Sequence, residues 1–164
     1  MFQLDLDHWS FDKDLQIIHA DVRLSISDMI IVEEPLCIDV GLPALLASAF
    51  QDHVPDRWAA AEEWSRMPFF VCGCGDPDCR AFSFVIKHLN DRQLEFTWVE
   101  ERQGSAYKEM ESFKLDADLY REKALSLGKE FLQFVAVLDY RPYMNETVRI
   151  VKELVQRLEH AKQL

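Results

Sequence analysis

Between Leu15 and Ile26 apolar and polar side chains alternate, Ile18, Ala20, Val22, Leu24 and Ile26 against His19, Asp21, Arg23, Ser25 and Ser27. A period of two predicts a strand with one face on a core and the other toward water. Ser27-Asp28 turns the chain, and Met29 to Val32 with Leu36, Ile38 and Val40 extends the pattern into an antiparallel partner. Glu33-Glu34-Pro35 interrupts it, and proline cannot donate to a central ladder, so an edge or a bulge is expected there. At Gly41-Leu42-Pro43 the period changes. Ala44 to Phe50 reads as a short apolar helix with Pro43 in its first turn, Gln51 to Asp56 as a loop, and Arg57 to Arg66 as a second helix stopped by Pro68.

A hairpin is expected further on. Phe82, Phe84 and Ile86 alternate with Ser83, Val85 and Lys87, and Leu94, Phe96 and Trp98 alternate with Glu95, Thr97 and Val99 across a turn at Leu89-Asn90-Asp91. Gly104-Ser105 precedes a third strand at about Tyr107 to Leu115. From Asp116, a suitable N-cap, Tyr120, Ala124, Leu127, Phe131, Phe134 or Val135, and Leu138 recur at helical spacing. Gly128 lies inside that stripe, where a missing side chain lets another element approach. Tyr140 to Met144 breaks the helix, and Asn145 caps another with Val148, Val151, Leu154, Val155 and Leu158 as its stripe. Two amphipathic helices joined by a short link make an antiparallel pair.

The expected fold is therefore a single α+β domain over residues 1–164. It has an antiparallel sheet of about five strands, with the C-terminal helix pair and the short central helices packed on one face. The hairpin from Phe82 to Trp98 is expected in the middle of the core. Composition agrees: a chain that is 49% hydrophobic and 12% aromatic has the material for a core and is not disordered. No apolar run approaches the roughly 20 residues that span a bilayer, and the start carries Asp5, Asp7, Asp12 and Asp14 instead of a basic leader, so a soluble cytoplasmic protein is expected.

The net charge of −11 is unevenly spread. Residues 1–60 hold eleven acids and three bases, and residues 61–164 hold eighteen acids and fifteen bases. A surface of that sign repels phosphate backbones, which argues against nucleic-acid binding. It suits a basic protein partner, and it also serves plain solubility.

The chemistry is concentrated in Val71-Cys72-Gly73-Cys74-Gly75-Asp76-Pro77-Asp78-Cys79-Arg80, which holds three of the four cysteines. Thiolates are strong zinc ligands, structural zinc takes four N or S donors, and Gly73 and Gly75 can adopt the positive φ of a tight turn. Arg80 is placed to neutralise thiolate charge. In a reducing compartment a metal is favoured over disulfides. The stretch Cys72-Gly73-Cys74-Gly75, three residues, then Cys79-Arg80 resembles the post-SET zinc clip of histone-lysine methyltransferases. The resemblance covers residues 72–80 only. It implies three thiolates from the turn and a fourth from a distant cysteine, and it implies no methyltransferase activity, since the motifs of that active site are absent. Cys37 is the candidate that repeats this arrangement. Its parity is opposite to Leu36, Ile38 and Val40, so it faces either the site or the other side of the sheet. His19, His53, Asp76, Asp78 and water stand as alternatives. His88 lies about 25–30 Å along an extended chain from Cys79 and is a poor choice.

Other signals are weaker. The C-x-C pair permits thiol exchange, yet it leads into a strand instead of opening a helix. His8, His19, His53, His88 and His160 show no metal-binding spacing, no phosphate-binding glycine loop or nucleophile elbow occurs, and Glu62-Glu63 and Glu100-Glu101 read as solvated faces. Tyr140-Arg141-Pro142-Tyr143 reads as a cap on the helix pair, with a small anion or peptide pocket as the alternative. The expected function is a non-catalytic binding or adaptor domain with a structural zinc clip at Cys72, Cys74, Cys79 and Cys37, recognising a basic protein. The alternative is a metal-assisted or thiol-dependent enzyme using the Cys72–Cys79 turn.

Overall fold

A computed structural model describes residues 1–142 and 146–162. Seven strands form one antiparallel sheet in sequential order: β1 (Phe2–Asp12), β2 (Ile17–Ile26), β3 (Met29–Cys37), β4 (Phe70–Val71), β5 (Ala81–His88), β6 (Gln93–Glu100) and β7 (Lys108–Asp116). Among the described residues three α-helices accompany it: α1 (Leu42–Ala47), α2 (Ala117–Val135) and α3 (Thr147–Lys162). The α+β class and the single antiparallel sheet stand as expected, with seven strands instead of about five. The two additional strands are β1 and β4.

β1 obeys the same period-two rule as β2. Leu4 and Leu6 are buried while Gln3, Asp5 and Asp7 face out, and the aspartates that set the acidity of the chain start are its solvent face. The alternation breaks between Asp7 and Ser10, where a bulge carries His8 at φ 52°. β4 is two residues long. It pairs Cys37 with Val71 on one side, and Phe70 with Phe82 and Val71 with Ala81 on the other, joining the halves of the sheet.

The sheet is strongly curled. β1 and β6 are five strand spacings apart, about 24 Å in a flat sheet, yet the Phe2 and Phe96 rings lie 5.9 Å apart. Tyr120 of α2 touches both rings, at 5.8 and 6.2 Å, and Trp9 packs on Phe134 at 5.6 Å. α2 thus lies across the concave face. The hairpin of β5 and β6 supplies Phe84, Ile86, Leu94 and Phe96 to this core, all but inaccessible to solvent. Tyr120 is fully enclosed. Its hydroxyl meets Ser48 Oγ at 2.7 Å, and Ser48 in turn donates to the Leu45 carbonyl, so both buried polar groups are satisfied.

Asp116 caps α2, its carboxylate accepting from the Leu119 N–H at 3.0 Å. α2 and α3 run antiparallel: Arg121 and Leu125 near the start of one share a recess with Leu158 and Lys162 near the end of the other. Gly128 faces Val155 so closely that a Cβ would stand 2.6 Å from Val155 Cγ2. The expected cap at Asn145 lies outside the described residues, as do Tyr143 and Met144.

The expected helix from Arg57 to Arg66 does not form. Only Trp64–Arg66 makes a single 3₁₀ turn. The Asp56 carboxylate accepts from the Trp58 N–H at 2.9 Å and from Arg66 at 2.7 Å, and the Asp56 N–H donates to the Arg66 carbonyl. This side chain offers the backbone a turn in place of a helix, and Arg57 and Trp58 are used elsewhere.

Candidate metal centre

Residues 72–80 are the loop that links β4 to β5. Its base is closed by the Cys72 N–H donating to the Arg80 carbonyl at 2.8 Å, continuing the ladder past Val71 and Ala81. Within it the Asp76 carbonyl and carboxylate accept from the Cys79 and Asp78 N–H groups at 3.0 and 2.9 Å. Gly73 and Gly75 take φ of 91° and 88°, as the turn requires, and Gly73 lies directly over Cys37.

This winding brings the Sγ atoms of Cys72, Cys74 and Cys79 within 4.8 Å of one another. Sulfurs bound tetrahedrally to zinc at 2.3 Å stand about 3.8 Å apart, so the donors are already gathered to nearly the span one ion needs. Cys74 is exposed, Cys72 and Cys79 are half-buried, and none of the four cysteines forms a disulfide.

The irregular segment before the 3₁₀ turn holds this loop in place. Arg57 donates from Nε to the Pro77 carbonyl at 2.7 Å and from its guanidinium to the Cys79 carbonyl. The Trp58 indole donates to the Asp78 carboxylate at 3.0 Å, and the Arg57 backbone N–H donates to Glu101, which also accepts from Ser83. Arg57 and Trp58 are positioning residues that the sequence pattern hides, because nothing local in Arg57 to Arg66 marks their partners twenty residues on.

Arg80 does not turn to the sulfurs. It binds Glu34 of β3, with Nε 2.6 and 2.7 Å from the two carboxylate oxygens, and lies over the Phe82 ring at 4.9 Å.

Cys37 does not join the three-sulfur cluster. It is fully buried beneath Gly73, and its thiol donates to Asp39 Oδ1 at 3.0 Å. Burial, reinforced by the adjacent Asp39 charge, pushes this thiol well above its ordinary pKa, which keeps it protonated. The Tyr140 hydroxyl donates to the other Asp39 oxygen at 2.5 Å. Desolvation raises the Asp39 carboxyl above its usual range, partly offset by these two donors. Tyr140 thus packs edge-on against Phe131 of α2 while its hydroxyl serves a buried carboxyl.

The other fourth-ligand candidates are placed as follows. His19 stands opposite Cys37 in the ladder, outside the cluster. His53 is buried, stacked on Phe69 with centroids 4.8 Å apart, and Nδ1 faces the Ser65 carbonyl at 3.1 Å. Asp78 accepts from Trp58 and Asp76 from its own loop. His88 is bound to the Ser48 carbonyl.

The three cysteines open onto a cavity of about 530 Å³, walled also by Leu15, Ile17, Val40, Trp58, Met67 and Val71. A smaller cavity of about 100 Å³ adjoins it through Ile17, Val40, Ala61 and Met67 and reaches Asp39. No protein-family model, curated protein or solved structure matches this chain. No helix among the described residues is long and apolar enough to cross a membrane.

Proposed function

We propose that this protein is a non-catalytic binding module in which Cys72, Cys74 and Cys79 hold a zinc ion that pins the 72–80 loop beside an apolar cleft, and that its partner is a basic protein. The observation that carries the reading is the convergence of three sulfurs within 4.8 Å in a loop strapped down by Arg57 and Trp58. Three thiolates are a soft donor set that selects zinc among abundant divalent ions. The resemblance of residues 72–80 to a post-SET zinc clip points the same way, and the net charge of −11 favours a cationic partner. In this reading the metal stiffens the cleft wall, so recognition depends on the loaded form.

Elemental analysis of protein purified without chelator tests it. One zinc per chain is expected, and Cys74→Ser should lower the metal content and the melting temperature together. Absence of zinc, with a melting temperature insensitive to Cys74→Ser, refutes the proposal.

A second reading is a metal-assisted enzyme. It is favoured by the adjoining cavities, which line up the cysteine cluster with Asp39, a carboxyl whose pKa burial raises above its usual range. Asp39→Asn separates the two. It leaves partner capture intact in the first reading and abolishes turnover in the second.

A further inference from the structure

The thiolate cluster is short of one ligand, and its surroundings indicate what completes it. Among the described residues no fourth histidine, cysteine or carboxylate joins the three sulfurs. Cys37 is committed to Asp39, Asp78 to Trp58, and Asp76 to its own loop. All three ligating residues border the 530 Å³ cavity. We propose that the fourth ligand comes from outside the chain through this cavity, as a neutral histidine imidazole carried on an apolar segment of the partner. This rests on the metal reading above and names the chemistry of the partner it requires.

Charge selects the donor. Three thiolates around a dication leave one net negative charge. Asp76 and Asp78 lie between Cys74 and Cys79 in the chain, and Arg80 is neutralised by Glu34. Among the described residues of the lining Arg57 is the one remaining cation, and it offsets only part of this charge. A fourth anion, thiolate or carboxylate, would add repulsion in a half-enclosed site. An imidazole adds none and completes a Cys₃His set, one of the common tetrahedral zinc environments.

The cavity wall selects what carries the imidazole. Leu15 is 61% exposed and Val40 38%, and both border the cavity with Ile17, Met67 and Val71. Large aliphatic side chains left in water beside a metal site gain stability when an apolar segment covers them. The partner segment is therefore apolar on both sides of its histidine.

The test uses the whole chain loaded anaerobically with Co(II), whose visible bands report the ligand set. The probes are imidazole and the capped tripeptides acetyl-Leu-His-Leu-amide, acetyl-Leu-Cys-Leu-amide, acetyl-Leu-Asp-Leu-amide and acetyl-Leu-Ala-Leu-amide. The histidine peptide is expected to shift the ligand-field bands saturably and to bind about tenfold or more tighter than imidazole. The cysteine, aspartate and alanine peptides are expected to leave the bands in place. Ala61→Trp, which narrows the cavity where the smaller one adjoins it, should remove the advantage of the peptide over imidazole while the cobalt stays bound. Absence of any thiolate-to-cobalt band refutes the metal reading itself. Bound cobalt with bands indifferent to every probe overturns only the present inference. So does a response to the cysteine or aspartate peptide equal to that of the histidine peptide. A cobalt spectrum altered by Cys37→Ser before any probe is added also overturns it, because the fourth ligand would then be internal.

Discussion

Gly73 sits directly over Cys37: a methyl group at Gly73 would come within 2.8 Å of Cys37 Cβ and 3.4 Å of its sulfur. The loop that gathers the three sulfurs is thereby seated on a buried cysteine that does not belong to them. Gly73 and Gly75 have nearly the same positive φ, but the Cβ of a residue at 75 would meet nothing within 4 Å. The pair separates strain from contact. Gly75→Ala is expected to cost about 1 kcal/mol through backbone strain alone, and Gly73→Ala about 2–3 kcal/mol, since its methyl must also displace the loop from Cys37. Thermal melts of both variants check this, and zinc affinity should fall only in Gly73→Ala. Equal losses in the two would show that the loop is not seated on Cys37.

Arg57→Ala removes the side chain that holds the Pro77 and Cys79 carbonyls. Both carbonyls lie near the surface and can be rehydrated, so the expected loss is about 1–2 kcal/mol, below that of a fully buried charged bond. Arg57→Lys should recover little, because an ammonium cannot reproduce the two-pronged geometry of a guanidinium. The sharper readout is alkylation in the metal-free protein: Cys79 should react faster in Arg57→Ala while the buried Cys37 stays protected. Mass spectrometry of iodoacetamide-treated protein resolves the sites.

Gly128→Ala tests the helix pair. In a free helix the change gains about 1 kcal/mol of propensity. Here the new Cβ would stand 2.6 Å from Val155 Cγ2 and 3.4 Å from two Leu46 carbons. A β-branched valine cannot rotate away cheaply, so a net loss of about 1–2 kcal/mol is expected. The double variant with Val155→Ala should lose less than the sum of the two single changes, measured by urea melts, because the second change opens the space the first one needs.

Much of this architecture is legible before any coordinates. The strands read from alternation correspond to β2, β3, β5 and β6, the turn at Gly104-Ser105 announces β7, and Asp116 caps α2 as its residue type suggests. β1 carries equally plain alternation at Phe2, Leu4 and Leu6, but its aspartates draw attention as charge, and the bulge at His8 shifts the parity before Trp9 and Phe11. β4 has two residues, fewer than one period of any pattern. The segment from Arg57 to Arg66 shows the limit most clearly. Its alanines favour a helix by propensity, while Asp56, Trp58 and Arg57 spend their hydrogen bonds on a turn and on the cysteine loop. Non-local partners outweigh local preference there. The three-sulfur cluster is readable because its ligands lie within one turn. The roles of Arg57, Asp39 and Tyr140 depend on contacts 20 to 101 residues apart and leave no local trace.

The acid limb of stability provides the last prediction. His53 is buried, its Nε2 has no hydrogen-bond partner among the described residues, and burial lowers its pKa from 6.5 to about 4. The folded protein holds this imidazole neutral where the unfolded chain binds a proton. Between pH 6.5 and about 4 the unfolded state therefore carries more protons, and stability falls as pH falls through that window. Above pH 6.5 the full contribution is present, and below about 4 it is lost, an amount on the order of 3 kcal/mol. Asp39 acts in the opposite sense: its raised pKa makes stability fall as pH rises above the unfolded value near 3.8. His53→Phe keeps the stacking volume on Phe69 and removes the titration. Its melting temperature should vary less than that of the parent between pH 4 and 6.5, so the variant should gain on the parent as the pH drops through that window. A parallel pair of curves would mean that His53 is protonated in the folded state.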